Sequence, residues 1–177
     1  MRRGGLLLVL LLALLPGRLR ADPSLEYLVK AAYLPKFIPF ITWPETAFAA
    51  PNAPFTICVL GADHFQGRLD QAAAGARSGD HPIRVRHLAG PDPSADCQMI
   101  FMSAGSDLAL VQGTLDAMRG QPVVTVTDSG LKARGVISFV IQDNHVRFDI
   151  DDALAAEAGL SISSKLLGLA HAVRQRG

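Results

Sequence analysis

Cysteine is scarce in this 177-residue chain: Cys58 and Cys97 are the only two. There is no C-x-x-C and no patterned histidine near either one, so neither a four-ligand zinc site nor a thiol oxidoreductase motif can be assembled. The five histidines, His64, His81, His87, His145 and His171, are scattered without an H-x-x-x-H pair and read as surface or loop residues. Charge of one sign is also missing, since 17 basic residues face 16 acidic ones; that balance gives no electrostatic case for binding nucleic acid. Catalytic patterns are absent as well. Gly61 to Gly67, GADHFQG, lies between a strand and a helix like a phosphate loop, but without G-x-x-x-x-G-K-[ST] it reads as a β-α turn. There is no G-x-S-x-G and no H-E-x-x-H, and Ser163-Ser164-Lys165 does not satisfy S-x-x-K. Nothing nominates a nucleophile with its base, so neither an enzyme nor a cofactor or metal site is expected.

Long apolar runs are lacking too. The run Leu6 to Leu15 is well short of the roughly 20 residues that span a bilayer. With Arg2 and Arg3 before it, Pro16-Gly17 after it and Leu19-Arg20-Ala21 as a small-residue cleavage site, it reads as a secretory signal peptide, residues 1–21. The rest, 22–177, is long enough for one domain with a sizeable core and too short for two comfortable ones. Removing the leader takes away Arg2, Arg3, Arg18 and Arg20, which leaves the remainder mildly acidic.

Periodicity supplies the organisation. Leu28, Ala31, Ala32, Tyr33, Phe37 and Ile41 recur at helical spacing, with Glu26 and Lys30 as a favourable i,i+4 pair. Pro35 and Pro39 interrupt that pattern, so a helix starting near Pro23 is expected to kink or break near Leu34. Strands follow at Phe55 to Leu60, Pro82 to Leu88, Cys97 to Met102 and Pro122 to Val126, with helices near His64 to Ala74 and Ser106 to Met118, and a loop at Ala89 to Ala95. This alternation predicts an α/β fold, a three-layer sandwich around a mostly parallel sheet of order near 2-1-3-4. Val136 to Ile141 and His145 to Ile150, separated by Gln142-Asp143-Asn144, add a C-terminal antiparallel hairpin. Asp151-Asp152 opens a short helix that Gly159 ends, and Ser161 to Arg174 reads as a last helix, with Ile162, Leu166, Leu169 and Val173 as its inner stripe and Ser161 or Ser163 as its cap.

In an exported protein two cysteines are most simply a disulfide, the alternative being two separately buried thiols. The order 2-1-3-4 sets the Cys97 strand beside the Cys58 strand, within bridging reach, and a bridge closing that loop would contribute roughly 3 to 4 kcal/mol. Arg147 alternates with Val146 and Phe148 and so emerges on the opposite sheet face. If a helix covers that face, Arg147 needs a partner: Asp149 or a helix acid on a structural reading, a ligand or partner protein on a functional one.

The order of segments resembles the YfiR family of bacterial periplasmic proteins. Val29-Lys30-Ala31-Ala32-Tyr33-Leu34 with Phe37, Phe40 and Trp43-Pro44 is followed by Ile57-Cys58-Val59-Leu60-Gly61, Cys97 with Ile100-Phe101, and Pro122-Val123 with Asp128. Gly135, Ile137, Phe139-Val140, Asn144, Val146-Arg147-Phe148 and Ile162-Ser163-Ser164-Lys165-Leu166-Leu167 complete the pattern. The resemblance implies a non-enzymatic periplasmic repressor that binds the periplasmic sensor region of an inner-membrane diguanylate cyclase, lowering cyclic di-GMP and restraining biofilm formation. It also implies homodimers, and a disulfide at Cys58 and Cys97 of a kind that links redox state to stability and repression in the family; a second pair found in some members is absent. Pro35 and Pro39 depart from the family's first helix, and Gln142 stands where an acid is common. Asn144, Arg147, Ser163, Ser164 and Lys165, with Lys30 and Tyr33, are the candidates for a partner or ligand surface. A periplasmic small-ligand-binding module using the crevice at the strand C-termini is the alternative.

Overall fold

The computed structural model describes residues 23–90 and 96–177; the expected leader, and most of the loop expected over 89–95, lie outside the described residues. Among the described residues there are five α-helices, α1 Pro23–Phe37, α2 Arg68–Ala73, α3 Leu108–Met118, α4 Asp152–Glu157 and α5 Ser164–Leu167. The strands are β1 Ile41–Thr42, β2 Phe55–Leu60, β3 Arg77–Ser78, β4 His81–Leu88, β5 Met99–Met102, β6 Val124–Thr127, β7 Ile137–Gln142, β8 His145–Asp151, β9 Ser161–Ile162 and β10 Ala172–Arg174.

Every side chain of β2 is buried, which is why the segment reads as an unbroken apolar run: both faces of the strand are covered. Phe55, Ile57 and Val59 join Met99, Phe101, Val124 and Val126 in a core packed under Ala31, Leu34 and Phe37 of α1 and Leu69 of α2. On the other face Cys58, Leu60, Ile100 and Met102 pack against Val111, with Leu115 and Met118 partly buried beside them. α3 begins at Leu108 because Asp107 caps it, its carboxylate accepting from the N–H groups of Ala109 and Leu110.

One sheet of eight strands results, in the order β10-β8-β7-β6-β5-β2-β4-β3, and β1 pairs separately with β9. The segment β4-β2-β5-β6 is the expected 2-1-3-4 order, parallel throughout. β7 continues parallel to β6, and β8 returns antiparallel through Asp143-Asn144. Both turn residues take positive φ, 49° and 60°, as a two-residue hairpin of matching twist requires. At the β6–β7 crossover a Cβ on Gly135 would sit 2.5 Å from the Thr125 carbonyl oxygen, so only glycine permits this approach.

Two segments differ from expectation. α1 runs unbroken through Pro35, and the break expected near Leu34 is not there. Pro35 falls in the last turn, where it removes one hydrogen bond, and the burial of Leu34, Phe37 and Ile38 holds the turn against that loss. Pro39 sits at the start of the 3-10 turn Ile38–Phe40, where its missing N–H is not needed. The expected last helix is instead β9, the four-residue α5 and β10. Ser163 caps α5 and Gly168 ends it, Leu169 is exposed, and the His171 N–H donates to the Phe148 carbonyl to open a parallel ladder with β8. Carboxylates on Asp149, Asp151 and Asp152 then take His171, Arg174 and Arg176, so tertiary partners overrule a helical period that Ile162 and Leu166 alone follow.

Cys58 and Cys97 form a disulfide with Cα atoms 5.9 Å apart. Cys97 precedes β5, so the bond ties the middle of β2 to the entry of its neighbour across 39 residues. Replacing both cysteines with alanine is expected to lower unfolding stability by about 4 kcal/mol on loop entropy. Urea denaturation of oxidised and substituted protein tests this, and a loss under about 1 kcal/mol would discount the loop-entropy account.

Candidate functional site

In an open parallel sheet the loops leaving the strand C-termini meet where the strand order reverses, here between β2 and β5. Gly61 leaves β2 at φ +94°, and the Ser103 hydroxyl donates to the Ala62 carbonyl at 2.6 Å, closing the two loops on each other. Asp128 follows β6 directly, with 2% of its surface exposed. Its Oδ2 accepts from the Ala104 N–H at 2.9 Å and from the Tyr27 hydroxyl, and its Oδ1 accepts from the Ser129 N–H at 2.8 Å.

α1 supplies the cation. Lys30 is wholly buried, and its Nζ donates to Asp128 Oδ1, to Glu26 Oε1 and, at 2.8 Å, to Ser129 Oγ. Glu26, Tyr27 and Lys30 share a helix face by their spacing, which brings Tyr27 and Lys30 to the Asp128 carboxylate and sets Glu26 to accept from Lys30 and from the Ser129 hydroxyl. The ammonium also lies 4.7 Å from the Tyr27 ring centroid and 5.7 Å from that of Phe139. Burial, and then the hydrogen bond to Asp128, push the Tyr27 phenol far above its ordinary value, because its anion would stand unsolvated beside a carboxylate. The crevice between β2 and β5 is therefore occupied by the chain's own side chains, while a space of about 500 Å³ stays open past Asp128 and Ser129 beside β7. Two carboxylates and one ammonium satisfy each other there, and the cluster clamps α1 to the sheet.

A second feature is open. A groove of about 350 Å³ runs between α1 and the β7–β8 hairpin, lined by Leu25, Val29 and Tyr33 on one side and Ile141, Asn144 and Arg147 on the other. Stacking of Tyr33 on Phe37, and the edge-on contacts of both rings with Phe148, hold helix and hairpin together. Three candidate residues from the sequence, Tyr33, Asn144 and Arg147, thus border one groove. Arg147 is exposed and its guanidinium meets no carboxylate among the described residues; the pair with Asp149 does not form, since Asp149 is taken by Arg134 and His171, each at 3.0 Å. Asn144 also has a turn role through its positive φ.

The other candidates lie apart. Ser163 caps α5, accepting from the Leu166 N–H at 3.4 Å, while its own N–H donates to the Phe40 carbonyl at 2.9 Å. Ser164 and Lys165 follow it, exposed. Lys30 faces inward and presents no surface. Sequence reading missed Asp128 and Tyr27 as its partners, and took Glu26–Lys30 for a helix-surface pair. The available signal was an aspartate directly after a buried β-branched strand, the position where open α/β sheets place functional groups.

Lys30→Met leaves Asp128 without its cation, and is expected to destabilise the fold by about 3–5 kcal/mol in urea titrations. Adding Asp128→Asn should recover part of that loss, and strictly additive effects would show that the two groups are not coupled. The raised Tyr27 phenol has its own signature. Its contribution is full below the ordinary tyrosine value of 10.0, and is lost at higher pH as the unfolded phenol ionises while the folded one keeps its proton. Tyr27→Phe should therefore flatten the decline of stability between about pH 9 and 11, and equal slopes in both proteins would refute the assignment.

No curated protein matches the chain. Among solved structures, the ABC domain in complex with L-Trp from Streptococcus pneumonia superposes with a TM-score of 0.54 at 13% identity, over 81% of this chain and 60% of that one. At that identity the likeness is one of fold, and the chain spans under two thirds of that neighbour. Among the described residues no helix is long and apolar enough to cross a membrane. The family profile DUF4154, YfiR/HmsC-like, matches residues 27–171, from the clamp on α1 to the start of the β8–β10 ladder. The chain belongs to the YfiR/HmsC-like family, whose members are periplasmic regulators of diguanylate cyclase signalling rather than catalysts.

Proposed function

We propose that the protein is exported to the periplasm and represses an inner-membrane diguanylate cyclase by binding the cyclase's periplasmic sensor region. The family match across residues 27–171 carries this reading. Its mechanism is a shift of population: the protein binds the inactive sensor conformation more tightly than the active one, since equal affinity for both would shift nothing. Driving a sensor from 1:99 to 99:1 takes a preference of about 10⁴-fold.

The crevice filled by Tyr27, Lys30 and Asp128 favours contact with a protein over capture of a small ligand at the strand C-termini. For the contact surface we assign the groove bordered by Tyr33, Asn144 and Arg147, with Ser163, Ser164 and Lys165 as a second patch and homodimerisation as in the family. Arg147 is the sharpest probe because it is exposed and bound to no carboxylate among the described residues.

Deleting the gene should raise cellular cyclic di-GMP and surface attachment, and complementation should reverse both. Unchanged cyclic di-GMP would end the repressor reading. Arg147→Glu should keep unfolding stability within about 0.5 kcal/mol, as surface substitutions do, yet fail to complement. Full complementation by that variant would remove the groove from the interface while leaving the repressor reading intact.

A further inference from the structure

β4 is paired on its inner side with β2 from Ile83 to Leu88. On its outer side β3 pairs only at Arg77–Pro82 and Ser78–His81. The Ile83 N–H donates outward to the Ala76 carbonyl at 3.0 Å, which fixes the phase of the strand. By alternation the N–H and C=O groups of Val85 and His87 also point outward, and those of Arg84 and Arg86 point to β2. Beyond Ile83, therefore, the outer edge has no strand partner among the described residues.

Side chains give one face of this edge a sign; on the other, the His87 ring already lies 3.7 Å from the Asp70 carboxylate of α2. Arg77 stands opposite Pro82, so Arg77, Arg84 and Arg86 share one face, and β3 and β4 contain no acidic residue. Arg86 already has a partner. Arg77 and Arg84 are exposed and donate to neutral oxygens, the Asp80 carbonyl and Thr56 Oγ1, without meeting a carboxylate among the described residues. On the opposite face Ile83 and Val85 are half-buried against the core.

We propose that the outer edge of β4 accepts an extended segment of a partner protein bearing acidic side chains at alternate positions, which joins the sheet as an added strand. Main-chain hydrogen bonds to Val85 and His87 would give affinity, and carboxylates facing Arg77 and Arg84 would give selectivity. A second copy of the chain fits poorly, because antiparallel self-pairing sets arginines against arginines, and like charges across a strand pair repel. The proposal goes beyond the repressor reading and does not depend on the partner being a cyclase.

The test is a labelled ten-residue peptide alternating Glu and Val, titrated against the oxidised protein at low salt, with a Lys/Val peptide as its counterpart. The acidic peptide should bind at least about tenfold more tightly and slow amide exchange at Val85 and His87. Val85→Pro removes an outward N–H while sparing the β2 ladder, so it should weaken binding about tenfold with an unchanged melting temperature. Arg84→Glu, at an exposed side chain, should reverse the peptide preference and keeps the test decisive if Val85→Pro unfolds. Equal binding of the two peptides, protection confined to other strands, or binding that survives Val85→Pro would overturn the proposal. So would self-association lost in Val85→Pro, since that would assign the edge to a second copy.

Discussion

The contact between Lys30 and Asp128 is the constraint on which the rest of the molecule depends. It joins the first helix to the carboxyl end of β6, 98 residues away, and does so in the interior. An isolated ammonium there would be prohibitively unfavourable, and an isolated carboxylate equally so. Each tolerates burial only because the other is in place, with Glu26, Tyr27, Ser129 and the Ala104 N–H completing their hydrogen bonds. A hydrophobic pair of similar volume could supply comparable stability. What the charged pair adds is position. An apolar helix face can slide on an apolar sheet, whereas an ammonium with defined acceptors fixes the register of α1, and with it the groove that α1 makes with the hairpin.

That one contact also decides what the crevice between β2 and β5 holds. Open α/β sheets take ligands outside the strand C-termini because loops diverge there and leave main-chain donors exposed. Here the loops after β2 and β5 are tied by Ser103 to Ala62, and the remaining space holds Tyr27 and Lys30. The fold retains the architecture of ligand-binding sheets while its own helix occupies the crevice. Surface for recognition is available elsewhere, along the α1–hairpin groove and the edges of the sheet.

Much of this was legible in the residues. Strands buried on both faces announce themselves as runs such as Phe55 to Leu60, and the alternation with helices orders them without further information. The hairpin was equally plain, because Asp143-Asn144 lies between two alternating strands. Local pattern failed where tertiary partners decide. Pro35 argued for a break that the buried Leu34 and Phe37 prevent, and the stripe Ile162, Leu166, Leu169, Val173 argued for a helix that the acids of β8 draw out into a strand. The clamp was hidden for a related reason: a Glu–Lys pair at i,i+4 has the same spacing on a wet helix face as in a core, and only Asp128, distant in sequence, distinguishes the two.

The two lateral ends of the sheet are built on opposite principles. At the β10 end, three acids of β8 and α4 are met by His171, Arg174 and Arg176 of the C-terminal segment, so the last strand is held by side-chain contacts to carboxylates. At the β4 end, Arg77 and Arg84 stand on neutral acceptors, and beyond Ile83 the outer backbone edge has no strand partner among the described residues. Exposed edges are normally blunted by charge so that identical copies do not pair, and arginine serves that purpose here. The same charge that rejects a copy admits an acidic strand, because repulsion between like edges and attraction to unlike ones are one field acting on different partners. The first helix of the molecule is pinned to its sheet by Lys30 and Asp128. Selectivity can then be written on preformed surfaces, and a rigid edge loses little conformational freedom when a partner strand docks.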